Sequence, residues 1–116
     1  MEPRFFADCQ ARVAIDLISG RWPMVVLYSL ATVGPSRPGV LTEQIGGISQ
    51  KVLTDTLRRL QANGLVERHR YAEAPPRVEY SLTEAGQALI GPLEALGEWA
   101  QKYGDAVLAA QETADW

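Results

Sequence analysis

The segment "GISQKVLTDTLRRLQANGLVERHR", residues 47 to 70, changes its period halfway along, and few folds accommodate such a change. Up to Ala62 the apolar residues Leu53, Leu57 and Leu60 recur at steps of four and three, the pattern of one helix face. Ser49 is placed to cap that helix, its hydroxyl accepting from a free amide of the first turn. Asn63–Gly64 ends it, since both residues tolerate the left-handed conformation. Beyond Gly64, "LVERHRY" alternates Leu65, Glu67 and His69 against Val66, Arg68 and Arg70, so the chain becomes a strand. "RVEYSL" alternates too, with Val78, Tyr80 and Leu82 on one side. The "AEAPP" between them cannot continue a ladder, because proline lacks an amide donor. A capped helix that feeds a hairpin with a stiff tip is the constraint on everything else.

Upstream, "CQARVAIDLISG" sets Val13, Ala14, Leu17 and Ile18 at helical spacing, and Gly20 stands where that helix stops. "RWPMVVLYSLATVG" restarts with Pro23 in the first turn and Gly34 at the end. "PSRPG" reads as a loop, and "VLTEQIGG" has room for about two helical turns. "GGIS" is then a tight, glycine-containing turn of the kind a helix-turn-helix needs. Downstream, Thr83 caps a last helix with Glu84 near its positive end. Its apolar positions Leu89, Leu93, Leu96, Ala100, Tyr103 and Val107 form a heptad seam. Pro92 predicts a kink or restart in that helix, and "ETADW" a frayed end with Trp116 free to dock. The order predicts a mainly α fold with a β-hairpin wing (α+β), a winged helix-turn-helix.

At 116 residues the chain is expected to form one domain. We divide it into an arm over residues 1–8, the domain over 9–108 and a tail over 109–116. No apolar run reaches the roughly 18 residues of a membrane span. The opening "MEPRFFADCQARVAID" lacks the parts of a signal peptide. A single cysteine excludes an internal disulfide and fits a reducing compartment. The expectation is a cytoplasmic protein without a membrane partner. The net charge of −3 argues against nucleic acid until its distribution is considered. Residues 1–48 balance, residues 49–83 hold an excess of two cations, and the acidity gathers from residue 84 onward, where Lys102 faces six carboxylates. A ligand that touches one face responds to the local field.

In a winged arrangement the helix starting at Ser49 fits a major groove of double-stranded DNA, its first turns nearest the bases. Gln50 can bridge an adenine, and Lys51 can donate to guanine or phosphate. Thr54, one turn on, reaches a base or a methyl group, and Arg58 reaches backbone. The free amides at the helix start add a phosphate site. Arg77 follows two prolines at the hairpin tip, where a cation can enter a minor groove or follow a phosphate ridge. The plain alternatives are a solvated helix face and a surface pair of Arg77 with Glu73 or Glu79, worth ~0–1 kcal/mol. No catalytic residue, metal or cofactor is expected. His69 has no partner at ligand spacing, the carboxylates form no working pair, and phosphate-cradling glycine motifs are absent.

"CQARVAIDLISGRW", "GISQKVLTDTLRRLQANGLVERHRY" and "PPRVEYSLTEAGQAL" together resemble the HxlR-type family of bacterial winged-helix transcription regulators, relatives of the MarR type. The resemblance runs from about Cys9 to Trp99. It implies a homodimer on a palindromic DNA site, joined through the first and last helices. Val13, Leu17, Leu89, Leu93, Leu96, Trp99, Ala100 and Tyr103 are the interface candidates. It also implies that Cys9 senses oxidants or electrophiles, as a thiol near Arg12 at a helix start can have its acidity raised; a small buried thiol is the plain reading. Trp22 and Trp99 are expected in core or interface, or else around a small aromatic effector between the first and last helices. The chain departs from the family before "GIS". Arg37 is kept, but Pro38 replaces an aromatic, and Thr42 and Glu43 stand where basic residues are frequent. Weaker backbone clamping is expected, with modest affinity, strongest at low salt. The alternative is a winged-helix module for protein partners; a thiol enzyme built on Cys9 lacks a nearby base and ranks last.

Overall fold

The computed structural model describes residues 10–114, in the order α1 (Gln10–Ile18), α2 (Pro23–Val33), α3 (Pro38–Ile45), α4 (Gln50–Ala62), β1 (Val66–Tyr71), β2 (Arg77–Leu82) and α5 (Glu84–Thr113). The fold is mostly helical with one antiparallel hairpin, in register from Val66 opposite Leu82 to Tyr71 opposite Arg77. Ser36 adds a single bridge to the outer side of β2, exchanging two backbone hydrogen bonds with Tyr80 at 2.8 and 3.0 Å. This is a winged helix-turn-helix.

The core gathers around α2, which is apolar on nearly every side and packs against α3, α4, α5 and β2. Its Val26, Leu27 and Leu30 are buried together with Leu41 of α3 and the Leu53, Leu57 and Leu60 stripe of α4. Gly46 and Gly47 both take φ of +70°, which lets the chain reverse within the turn between α3 and α4. Ile48 is buried at the end of that turn and anchors it to the core. The Ser29 hydroxyl hydrogen-bonds the Gln44 side chain and ties α2 to α3.

Several details differ from the sequence reading. Pro38 and Gly39 belong to α3, because proline's fixed φ suits a first helical turn as well as a loop. Asn63 keeps φ at −95°, and only Gly64 is left-handed; the Asn63 amide instead donates to the Arg59 carbonyl at 2.8 Å. Pro92 lies inside a continuous α5. The hydrogen bond it forfeits would have gone to the carbonyl of Ala88, and both residues are exposed, so solvent can satisfy that group. The helix continues to Thr113, so residues 109–113 of the expected tail are helical.

The end of α4, the hairpin and the start of α5 meet at one backbone junction. The Leu65 carbonyl accepts from the Thr83 amide at 3.1 Å, and the Thr83 hydroxyl donates to the Gly64 carbonyl at 2.6 Å. The same hydroxyl accepts from the Gly86 amide at 3.1 Å and so caps α5. Gly86 lies so close that an added Cβ would stand 2.1 Å from the Leu65 oxygen. Gly86→Ala is therefore expected to destabilise the fold by about 3 kcal/mol or more, read from the urea midpoint. Gly39→Ala, which meets nothing within 4 Å, should leave stability unchanged or raise it by up to ~1 kcal/mol. Equal losses in the two variants would show that this contact is not tight. At the start of α4 the Ser49 hydroxyl accepts from the Val52 amide at 3.1 Å. Ser49→Ala should cost about 1 kcal/mol and Ser49→Asp very little, measured in the same way.

Candidate nucleic-acid interface

With Leu53, Leu57 and Leu60 turned inward, α4 presents Gln50, Lys51, Asp55 and Arg58 to solvent, and Thr54 is half-buried beside them. The Ser49 cap uses one of the free amides of the first turn, and those of Gln50 and Lys51 have no partner inside the helix by position. Lys51 Nζ rests 3.1 Å from Asp55 Oδ2, both side chains well exposed. Such a pair is worth at most about 1 kcal/mol and opens readily. Arg59 is committed elsewhere: its guanidinium donates to the Asp16 carbonyl at 2.8 Å and holds the end of α1 against α4.

Gln50, Thr54, Arg58 and Gln61 follow one another along a single ridge at helical spacing. The ridge looks across a cleft toward the hairpin. Thr54, Arg58 and Gln61 line one side of it, and Arg68, Val78, Tyr80 and Pro38 complete it, with a volume of about 490 Å³. Arg68 and Arg70 entered the sequence reading only as strand residues and charges. Their alternation already put them on one side with Val66; what it did not give is that this face, shared with Val78, Tyr80 and Leu82, turns toward α4.

Arg77 is not the free tip cation that the sequence suggested. Its guanidinium lies 4.1 Å over the Tyr71 ring, 3.1 Å from Glu73 and 3.5 Å from Glu79, and its Nε is buried without a partner. The physical reason is the register, which sets Tyr71 directly opposite Arg77, while Glu73 in the connection and Glu79 two residues on along β2 supply two carboxylates for one cation. The surface pair weighed as the alternative is the arrangement found.

The candidates for pairing between copies divide into two groups. Val13, Leu96, Trp99, Ala100 and Tyr103 are exposed, with Trp99 at 54% and its ring 5.8 Å from that of Tyr103. Leu17 and Leu89 are half-buried against the protomer's own core, and Leu93, 5% exposed, belongs to it. The seam along α5 therefore serves this core at its start and faces outward farther on. Trp22 packs against the core, whereas Trp99 does not. The cavity nearest the expected effector position lies between α2 and α5 instead of α1 and α5, and neither tryptophan lines it. It holds about 540 Å³ among Met24, Val25, Tyr28, Leu93, Glu94, Gly97, Glu98 and Gln101. Cys9 and Trp116 lie outside the described residues. Among the described residues no group of three His, Cys, Asp or Glu side chains could hold a metal, and no single helix is long and apolar enough to cross a membrane.

Comparison with known proteins agrees with this architecture. Residues 17–107 match the HxlR-like helix-turn-helix family. An HTH-type transcriptional regulator of Methanothermobacter thermautotrophicus is 45% identical over 96 residues, covering 83% of this chain and 72% of that protein. The solved structure of the redox regulator HypR in its reduced form superposes with a TM-score of 0.77 at 33% identity, over 85% of this chain and 97% of the other. A MarR-family structure from Porphyromonas gingivalis W83 gives 0.76 at 30% identity, over 86% and 97%. A helix-turn-helix with a hairpin wing, matched over most of its length by regulators of one kind, leaves a single assignment: this chain belongs to the HxlR-like helix-turn-helix family of transcriptional regulators.

Proposed function

We propose that the chain is a cytoplasmic, sequence-specific DNA-binding regulator that acts as a homodimer on a palindromic operator. The observation that carries this is the two-sidedness of α4: three leucines are fully sunk in the core, while a capped N-terminus and a polar ridge stay free of it. In this reading Ser49 and the first amides hold a phosphate, Gln50, Lys51 and Thr54 meet base edges, and Arg58 meets backbone. Arg77 braces the wing tip and reaches DNA only by exchanging a carboxylate for a phosphate. Pairing is supported by α1, which has no fully buried residue, and by the exposed Leu96, Trp99, Tyr103 and Leu108 on α5. Apolar surface of that extent marks an interaction site.

Binding to the chain's own upstream region, measured at two salt concentrations, tests the reading. A specific complex that weakens as salt rises is expected, and Gln50→Ala with Lys51→Ala should abolish the preference over random DNA. Leu96→Glu with Trp99→Glu should give a monomer in sedimentation that has lost the same complex. A wild type that prefers no DNA over a random competitor overturns the proposal and favours a protein partner for the winged helix, to which the acidic wing tip and α5 would be better suited.

HypR's description as a redox regulator supports Cys9 as a thiol that responds to oxidants or electrophiles. The α2–α5 cavity, of a size usual for ligand sites, is where a small aromatic effector would enter. Cys9→Ser should bind DNA as the wild type does and lose any release caused by mild peroxide or quinone. Release that persists in Cys9→Ser removes the thiol from the mechanism.

A further inference from the structure

We infer that the cleft between α4 and the wing is a seat for one phosphate-type oxyanion, gripped from two sides by Arg58 and Arg68. In part this rests on the nucleic-acid reading above, because a duplex lying on α4 is the nearest source of phosphate. That Arg58 and Arg68 border one cleft is an observation about the protein.

Arg68 stands opposite Tyr80 in the hairpin register, on the face whose Val66 and Tyr80 are almost wholly buried. Strand alternation calls for an apolar side chain there. The chain instead carries a guanidinium, which stays exposed and lines the cleft that Arg58 lines from the helix side. Three other cations have partners: Lys51 has Asp55, Arg77 has Glu73 and Glu79, and Arg59 has the Asp16 carbonyl, while Arg70, on the same hairpin face as Arg68, does not line the cleft. Arg58 and Arg68 form no ion pair among the described residues.

No carboxylate lines this cavity, whereas Glu94 and Glu98 line the one between α2 and α5. Two like charges around one space repel, and an oxyanion between them turns that repulsion into two charge-assisted contacts. Guanidinium forks match the oxygen spacing of a phosphate. The Thr54 hydroxyl and the Gln61 amide supply further donors, and Pro38, Val78 and Tyr80 offer an apolar wall for a sugar. At about 490 Å³ the space exceeds a lone phosphate and suits a segment of sugar-phosphate backbone. The ligand class is a phosphodiester of a duplex or, from solution, inorganic phosphate.

The test uses the full chain and a labelled duplex of random sequence, so it does not depend on an operator. Affinity is measured by anisotropy across a salt series for the wild type, Arg58→Gln, Arg68→Gln and the double variant, with Lys102→Gln on α5 as a control of equal charge change. Each arginine variant should bind several-fold more weakly at low salt and flatten the log–log salt slope by about one unit per engaged protomer. The double variant should flatten it no further than either single one, since both residues hold the same phosphate. Slopes equal to that of Lys102→Gln in both single variants overturn the seat. In the second arm, inorganic phosphate is titrated into the wild type, and the Arg58 and Arg68 side-chain NH resonances are followed by NMR. A shift there points to free phosphate as a source; no shift, with the slope change present, points to the duplex; neither response overturns the seat. Loss of operator preference alone would sink the preceding function and leave this result standing.

Discussion

The working geometry depends on a few backbone atoms around Leu65. The Leu65 carbonyl takes the Thr83 amide, Thr83 bonds Gly64 and Gly86, and Gly86 has no room for a side chain against Leu65. The end of α4, both strands at the hairpin base and the first turn of α5 are thereby held within one turn of chain. A reading helix and a wing on independent hinges would present a varying angle to any rigid ligand, and ordering them on binding would cost conformational entropy. Here that cost is met during folding. Polar contacts between backbone and a capping threonine also fix direction, which apolar packing alone does poorly.

The same economy governs α5. Its first half contributes Gly86, Ile90 and Leu93 to the interior, and beyond Leu93 none of its residues is buried. At 30 residues the helix is about 45 Å long, and only its start is covered by its own domain. A helix bare over its later turns gains little from tertiary packing, so the apolar side chains there, Leu96 and Trp99 among them, have no structural use within one protomer. The heptad spacing that looked like one seam in the sequence is two surfaces in succession.

That division explains what the sequence could and could not convey. The bounds of α4, the strands and the caps at Ser49 and Thr83 were legible because they depend on near neighbours: period, cap chemistry and a turn glycine. Leu93 was misplaced because heptad spacing states that a face is apolar and is silent on what covers it. Arg77 was misjudged for a related reason. Its position at a proline-rich tip suggested freedom, and only the strand register reveals that Tyr71 lies beneath it. Arg68 was visible as a charge, yet its aim into the cleft depends on how the hairpin face meets α4. Each miss concerns a partner distant in sequence or on another element, where local pattern carries no information.

A net charge of −3 is compatible with an anionic partner because the charges are separated in space as well as in sequence. Lys51, Arg58 and Arg68 border the ridge and cleft of α4, whereas Glu98, Asp105 and Glu112 sit on the part of α5 that leaves the body. Screening at physiological salt acts over about 8 Å, far less than the molecule's longest extent of 56 Å. The field at the ridge is thus set by its own cations, and the distant carboxylates weaken it little. They act instead on approach. A polyanion arriving along α5 meets repulsion, and one arriving along α4 meets attraction, so the acidic helix helps to orient the encounter. The wing tip, with two glutamates around one arginine, adds a local repulsion that a phosphate chain must avoid or displace, which favours a backbone path through the Arg58–Arg68 cleft over one across the tip.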